Sequence, residues 1–228
     1  DGGYDETQPA FGRIEVASLP DVTIDLAALL DDACGVNMVT MQRVGLVSPE
    51  SYERVALNDP DGHWELFDGV LREKPGMAYA HNYVMFELGV SLRLALDPNL
   101  YEVRSNAGRV RVAADRYYIP DVLVIPRSMT ERFRDDPDAL DLYSDPLPFV
   151  AEIWSPSTGP YDIRAKLQGY RERGDAEIWY IQPFDKTITI WRRQPDGSYL
   201  ETSPAIGPIE IVSLPGVTVD LAALLDKA

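Results

Sequence analysis

The spacing of apolar residues along the chain predicts helices and strands in alternation. Between residues 80 and 96, Val84, Leu88, Leu92 and Leu96 fall on one stripe, which indicates a helix. Shorter patterns predict helices over 48–57 and 162–173, and strands over 64–67, 70–73, 101–104, 108–112, 119–125, 149–154, 177–181 and 187–192. The predicted class is therefore α/β, with a mixed central sheet flanked by helices.

Local signals set several element boundaries. Ser48, followed by Pro49 and Glu50, is a good helix N-cap, and Asp68-Gly69 predicts a hairpin turn. Gly174 is placed to end the helix over 162–173. The polar, acidic residues 127–146 are expected to form a loop containing at most a helical turn.

The two ends of the chain repeat each other. Residues 1–33 align without gaps on residues 196–228 and are identical at 23 of the 33 positions. We expect residues 1–37 to be the duplicated tail of an upstream copy plus a linker, as in a fragment of a tandem array. Residues 38–228 would then form one domain with its own tail. The alternative is that both tails pack symmetrically on one domain.

Composition excludes several classes of protein. The chain has 228 residues, of which 45% are hydrophobic, so wholesale disorder is not expected. It contains no apolar run long enough for a membrane helix. Its single cysteine, Cys34, excludes an internal disulfide and fits a cytoplasmic location. The net charge of −16 argues against non-specific binding to nucleic acid but leaves room for a local basic groove.

Four residues in special contexts are candidates for chemistry. Asp121 follows Pro120 at the start of an apolar strand, and Glu152 interrupts another apolar strand, where an unpaired carboxylate would be costly. Asp162 and Lys166, four residues apart, share one face of a helix. Each has a structural alternative. Asp121 would merely follow a turn-forming proline, and Glu152 would be paired with a buried arginine. Asp162 and Lys166 would form a surface ion pair.

The order of these motifs resembles the Uma-two (Uma2) family of restriction-endonuclease-related proteins, within the PD-(D/E)XK nuclease superfamily. The resemblance covers residues 45–228. The matching segments are HWELFDGVL, Ala80-His81, IPDVLVI, FVAEIWSPST, DIRAK, YRERG, EIWYIQP and SLPGVTVDLAALL. It implies a restriction-endonuclease-like core and hydrolysis of phosphodiester bonds.

The resemblance also implies roles for individual residues. Asp121 and Glu152 would bind Mg²⁺ (or Mn²⁺), and Lys166 would orient a water or stabilise charge on phosphorus. Glu65 would orient a water or a second metal, or else be a surface charge of the hairpin. His81 would contact phosphate or carry a proton, or else be an ordinary helix residue.

Other positions receive supporting roles or depart from the family pattern. Asp162 would set the position of Lys166, and Tyr170 is expected to pack in the core. Trp154 stands where much of the superfamily has its lysine, so the lysine must come from the helix. Gln182 replaces an acid that the family often has before its proline.

Basic residues precede Asp121 on the predicted strands. Arg104, Arg109 and Arg111 are candidates for binding a nucleic-acid backbone, against the alternative of ordinary edge-strand charges.

The expected function is a cytoplasmic, divalent-metal-dependent endonuclease that acts on DNA without membrane association, with a homodimer as a candidate assembly. The alternative is a catalytically silent restriction-endonuclease-like module that binds a partner or nucleic acid. The position of Lys166 separates the two, since a solvent-facing lysine would weaken the nuclease interpretation.

Overall fold

The structure is a computed structural model that describes residues 46–59, 61–136, 138–156 and 165–227, and the backbone of 13–15 and 23–25. Contacts divide the chain into two units, residues 1–44 and 45–228. In the first unit, the strands β1 (Arg13–Glu15) and β2 (Thr23–Asp25) pair antiparallel. The domain boundary after residue 37 that we inferred from the repeat stays a prediction.

The second unit alternates strands and helices, as predicted. Its helices are α1 (Pro49–Asn58), α2 (Tyr79–Ala95), α3 (Arg127–Thr130), α4 (Leu167–Arg173) and α5 (Leu221–Leu225). Its strands are β3 (Trp64–Phe67), β4 (Val70–Glu73), β5 (Tyr101–Ser105), β6 (Arg109–Ala113), β7 (Arg116–Tyr118), β8 (Val122–Pro126), β9 (Leu142–Tyr143), β10 (Phe149–Ile153), β11 (Glu177–Gln182), β12 (Thr187–Arg193), β13 (Tyr199–Thr202), β14 (Pro208–Glu210) and β15 (Thr218–Asp220).

The central sheet has six strands in the order β13-β12-β11-β10-β8-β5. It is mixed, because β10 and β11 are parallel while the other pairs are antiparallel. The parallel pair requires a crossover, and α4 lies within it. A second sheet has the order β4-β3-β7-β6-β9, and β14 pairs with β15.

The two faces of the central sheet bury separate cores. Val122 and Val124 face a cluster that includes the apolar stripe of α2, whereas Leu123 packs on the opposite face with Val150 and the ring of Tyr170. This alternation is the period of two expected of strands buried on both faces. It places Asp121 and Glu152, which have the parity of Leu123 and Val150, on the α4 side of the sheet.

Several local predictions are confirmed. Ser48 caps α1 by accepting a hydrogen bond from the Ser51 amide, and the turn between β3 and β4 has positive φ at Asp68 (49°) and Gly69 (78°). Gly174 ends α4 with φ of 85°. Gly169 brings α4 close to β7, since a Cβ there would lie 2.6 Å from the Tyr118 ring.

One strand prediction and one loop prediction differ from the structure. The stretch predicted as one strand over 119–125 begins only at Val122, because Pro120 has no amide hydrogen to donate to a strand ladder. Residues 127–146 contain α3, a short 3-10 helix (Glu131–Phe133) and the two-residue strand β9.

No helix in the described part of the chain is long and apolar enough to cross a membrane.

Candidate active site

Asp121 lies at the centre of a buried cluster of charged side chains. It precedes β8, and both of its carboxylate oxygens accept hydrogen bonds: Oδ1 from Lys74 Nζ (2.6 Å), and Oδ2 from the Ile153 amide (2.7 Å). His81 Nε2 lies 2.9 Å from Oδ2. These contacts hold the carboxylate rigidly at the start of β8.

The environment of Asp121 keeps its carboxylate ionised. Burial alone would raise the pKa of Asp121, but the positive charge of Lys74 and the hydrogen bond and charge of His81 outweigh burial. The pKa of Asp121 is therefore held well below its usual range. An ionised Asp121 can only accept, so we assign the proton on this side of His81 to Nε2.

Glu152 projects from the neighbouring strand toward the same region. Val122 is paired with Ala151, so the next step of the antiparallel register places Asp121 opposite Glu152. The Tyr170 hydroxyl donates a hydrogen bond to Glu152 Oε1, and Lys166 Nζ lies 3.4 Å from the same oxygen. Side chains directly opposite each other on one face are usually near neighbours, so we expect the two carboxylates to lie close together.

Lys166 is completely buried just before α4, and its side chain points into the protein. Its ammonium lies 2.8 Å from Glu65 Oε1 and 3.4 Å from Glu152 Oε1. A surface ion pair for Lys166 is therefore wrong. Asp162, the residue predicted to set its position, lies outside the described residues.

Glu65 is buried in β3, so the alternative of a surface hairpin charge is wrong for this residue. Its Oε1 accepts one hydrogen bond from the Ile119 amide (2.8 Å) and also lies within ion-pair distance of Lys166. Glu65 therefore connects the second sheet both to the segment that carries Asp121 and to the start of α4.

His81 is buried in the first turn of α2, facing Asp121. Its other ring nitrogen, Nδ1, is also buried and has no hydrogen-bond partner among the described residues.

Two residues of the cluster were missed or given a lesser role by the sequence analysis. Lys74 follows β4 in a polar stretch before Pro75-Gly76, where a lysine normally faces solvent, so no signal in the sequence marked it. The Tyr170 ring does pack in the core, at 5.9 Å from Tyr118 in an edge-to-face contact, but its hydroxyl also reaches Glu152.

The three arginine candidates are divided between the two sheets. Arg104 on β5 pairs with Glu102 (2.8 Å) and Asp141 (3.1 Å), whereas Arg109 and Arg111 lie on β6. Arg111 stacks over the Tyr117 ring at 5.5 Å. Their contribution to nucleic-acid binding stays a prediction.

The donor chemistry of the cluster fits a hard divalent cation. No group of three or more histidine, cysteine or acidic side chains in the described ranges is arranged to hold a metal ion. Mg²⁺ commonly uses only one or two protein carboxylates and completes its shell with water and substrate phosphate. Asp121 and Glu152 are the predicted pair, and Lys74 is bound to one Asp121 oxygen.

Comparisons with known proteins identify the family of the chain and a solved structure of similar fold. Residues 49–223 match the model of the Uma2 family, described as "Putative restriction endonuclease". A crystal structure from Anabaena variabilis, titled a "putative nuclease belonging to DUF820", superposes with a TM-score of 0.63 at 15% identity. The match covers 79% of this chain and 98% of that one. Among curated proteins, no relative matches.

The structural match confirms the predicted fold, an α/β restriction-endonuclease-like core with a mixed sheet, and the family match supports a nuclease in general terms. The family model spans most of the chain and includes every described residue of the buried cluster. The chain therefore belongs to the Uma2 family of "putative restriction endonucleases".

Proposed function

We propose that the chain is a divalent-metal-dependent endonuclease that hydrolyses phosphodiester bonds in DNA. The observation that carries the proposal is a buried cluster in which Glu65 and Glu152 contact the Lys166 ammonium. In the same cluster, Asp121 contacts Lys74 and His81. A buried ion network of this kind is often no better for stability than a hydrophobic replacement. Its retention in the core therefore favours a role in chemistry.

Asp121 and Glu152 would hold the metal, with Mg²⁺ or Mn²⁺ as the natural choice for carboxylate ligands. When bound, the ion would draw charge from the scissile phosphate and make water easier to deprotonate. Asp121 is suited to this task because its depressed pKa keeps it negative at all physiological pH values.

Lys166 would supply positive charge to the reacting phosphate. Its ammonium lies between Glu65 and Glu152, and this position leaves little freedom of movement. A preorganised cation of this kind stabilises charge that develops in the transition state without reorganisation at the moment of reaction. Glu65 acts through Lys166 as a positioning residue.

His81 would exchange a proton near Asp121. Its Nε2 is fixed by the Asp121 carboxylate and its Nδ1 makes no hydrogen bond within the described residues. A histidine oriented by a carboxylate is the usual arrangement for general acid–base catalysis.

A catalytically silent module for partner or nucleic-acid binding is the second candidate. The net charge of −16 favours it, because an acidic surface repels a phosphate backbone. DNA as substrate therefore requires either a local basic groove or charge brought by metal ions, and a homodimer is one assembly that would create such a groove.

Cleavage of supercoiled plasmid by the full chain, with Mg²⁺ or Mn²⁺ and with chelator, tests the proposal. We expect metal-dependent nicking that falls at least about 100-fold in Glu152→Gln and in Lys166→Met. Glu210→Gln, an exposed change of the same type, should retain full activity, whereas a contaminating nuclease would cleave equally in all preparations. A folded wild-type protein that leaves plasmid intact with both metals would contradict the proposal and favour the silent module.

A further inference from the structure

The ammonium of Lys74 sits in a complete cage of oxygen atoms. Nζ donates to Asp121 Oδ1 at 2.6 Å, to Asn106 Oδ1 at 2.8 Å and to the Ile119 carbonyl at 3.0 Å. A lysine ammonium has three hydrogens, so all of its donors are satisfied. The side chain is only 4% exposed, which leaves this cage as the environment of the charge.

The cage has the composition of a cation site. A carboxylate, a side-chain amide oxygen and a backbone carbonyl are the ligand types that Ca²⁺ and Mg²⁺ select in proteins. An ammonium group can take the place of the metal ion, because it presents one fixed positive charge to the same oxygens.

The loop that carries Asn106 is fixed independently of Lys74. Asn106 adopts a left-handed conformation with φ of 49°, and its backbone N–H donates a hydrogen bond to the Asp121 backbone carbonyl at 2.8 Å. Asparagine is one of the few residues that tolerate this conformation. The backbone therefore holds the side-chain oxygen Oδ1 of Asn106 beside Asp121, and the three cage oxygens should stay in place when Lys74 is removed.

We propose that Lys74 is a built-in cation, whose ammonium fills an oxygen cage beside Asp121 that would otherwise bind a metal ion. Its catalytic consequence rests on the proposed function: with Lys74 in place, the centre takes no more than the one divalent ion of Asp121 and Glu152. Lys74 thus supplies permanently the positive charge that a second ion would bring.

Counting charges supports this arrangement. Glu65, Asp121 and Glu152 contribute three negative charges, and Lys74 and Lys166 contribute two positive ones, all within the buried cluster. Loss of Lys74 removes one of these two positive charges, and a bound cation would replace it in an environment where unpaired charge is costly.

Counting bound Mn²⁺ by titration of the full chain tests the inference. Lys74→Ala is expected to bind one Mn²⁺ more than the wild type, whatever the wild-type number is. Lys74→Arg keeps the charge and should gain none. Lys186→Ala, which removes a lysine from an exposed pair with Asp226, should also gain none.

A second variant identifies the gained site. Lys74→Ala combined with Asn106→Gly removes one cage oxygen but keeps a residue that tolerates the positive φ, so the extra Mn²⁺ should bind at least about 10-fold more weakly. Equal Mn²⁺ numbers in Lys74→Ala and the wild type would overturn the inference, as would an extra ion whose affinity does not change with Asn106→Gly.

The stability of Lys74→Ala gives an independent measurement. Mn²⁺ or Ca²⁺ should raise its thermal midpoint by more than that of the wild type, and should restore the fold if the variant is unfolded without metal. A variant that divalent ions neither stabilise nor refold contradicts the inference. A gained site in a protein whose wild type cleaves nothing would instead leave the inference standing and remove the proposed activity.

Discussion

Lys166 and Glu65 form a buried ion pair in which 2.8 Å separates Nζ from Oε1. Glu65 comes from β3 of the second sheet and Lys166 from the start of α4 in the crossover of the central sheet. The same Glu65 oxygen accepts the Ile119 amide two residues before Asp121. One carboxylate thus sets the relative position of the lysine and the aspartate on which the proposed chemistry depends.

Glu65→Gln tests this positioning role. The amide can still accept from Ile119 but no longer neutralises Lys166, so the lysine should shift and plasmid cleavage should fall about 100-fold, as expected for misplacement of a catalytic group by about 1 Å. The fall should appear in kcat more than in KM. Glu73→Gln, an exposed change on the same hairpin, should have no effect; equal rates for both variants would exclude the role.

The depressed pKa of Asp121 predicts how stability depends on pH. An acid with a lowered pKa in the folded state contributes stability above its unfolded pKa of about 3.9 and loses it as the pH falls toward the folded value. Asp121→Asn should therefore lower the free energy of unfolding by about 3 kcal/mol at pH 7, where Lys74 loses its charged partner.

The difference between Asp121→Asn and the wild type should shrink steadily below about pH 4, because the Asp121 carboxyl of the unfolded wild type becomes protonated there while that of the folded protein stays ionised. Urea unfolding between pH 3 and pH 7 measures it. Asp226→Asn, in an exposed pair with Lys186, is the control and should change little, because exposed ion pairs contribute little. A difference that stays constant to pH 3 would contradict the charge assignment.

Tyr170→Phe removes the hydroxyl that donates to Glu152 without altering the packed ring. We expect a loss of about 1–2 kcal/mol in stability, since the buried carboxylate loses a donor. Metal affinity should fall about 10-fold, as is typical when a partner of a metal ligand is removed. Isothermal titration with Mn²⁺ measures the second effect. Tyr79→Phe, on an exposed tyrosine of α2, is the matched control, and an unchanged affinity in Tyr170→Phe would refute this role.

Gly174→Ala should destabilise the domain by about 1–2 kcal/mol, because the residue that ends α4 has φ of 85° and an L side chain is strained there. A Cβ at this position would also lie 3.3 Å from Arg193 Nε. Gly76→Ala is the matched control, since its φ is not positive and no atom lies within 4 Å of the added Cβ. Urea midpoints compare them; equal midpoints would argue against the strain.

The sequence predicts the carboxylates better than their partners. Asp121 and Glu152 are conspicuous because each breaks an apolar pattern, and buried strands tolerate an acid only with compensation. Lys74 carries no such mark, because a lysine beside Pro75-Gly76 is indistinguishable from a solvated turn residue. Only the folding of β4 against the Asn106 loop buries it.

The ends of helices and strands also differ in how far the sequence predicts them. The caps of α1 and α4 and the turn between β3 and β4 depend on neighbouring residues and are predictable from them. The strand β9 has only two residues and exists through its pairing with β6, which is remote in sequence. No periodicity in so short a segment can reveal it.

The crossover through α4 has a consequence for synthesis of the protein. A nascent chain that has emerged as far as β8 carries Glu65, Lys74, His81 and Asp121 but lacks Glu152 and Lys166, which follow in β10 and at the start of α4. The parallel partner of β10 is translated later still. A chain truncated before Lys166 therefore lacks one member of the buried cluster, although it keeps most of the acidic residues of the protein.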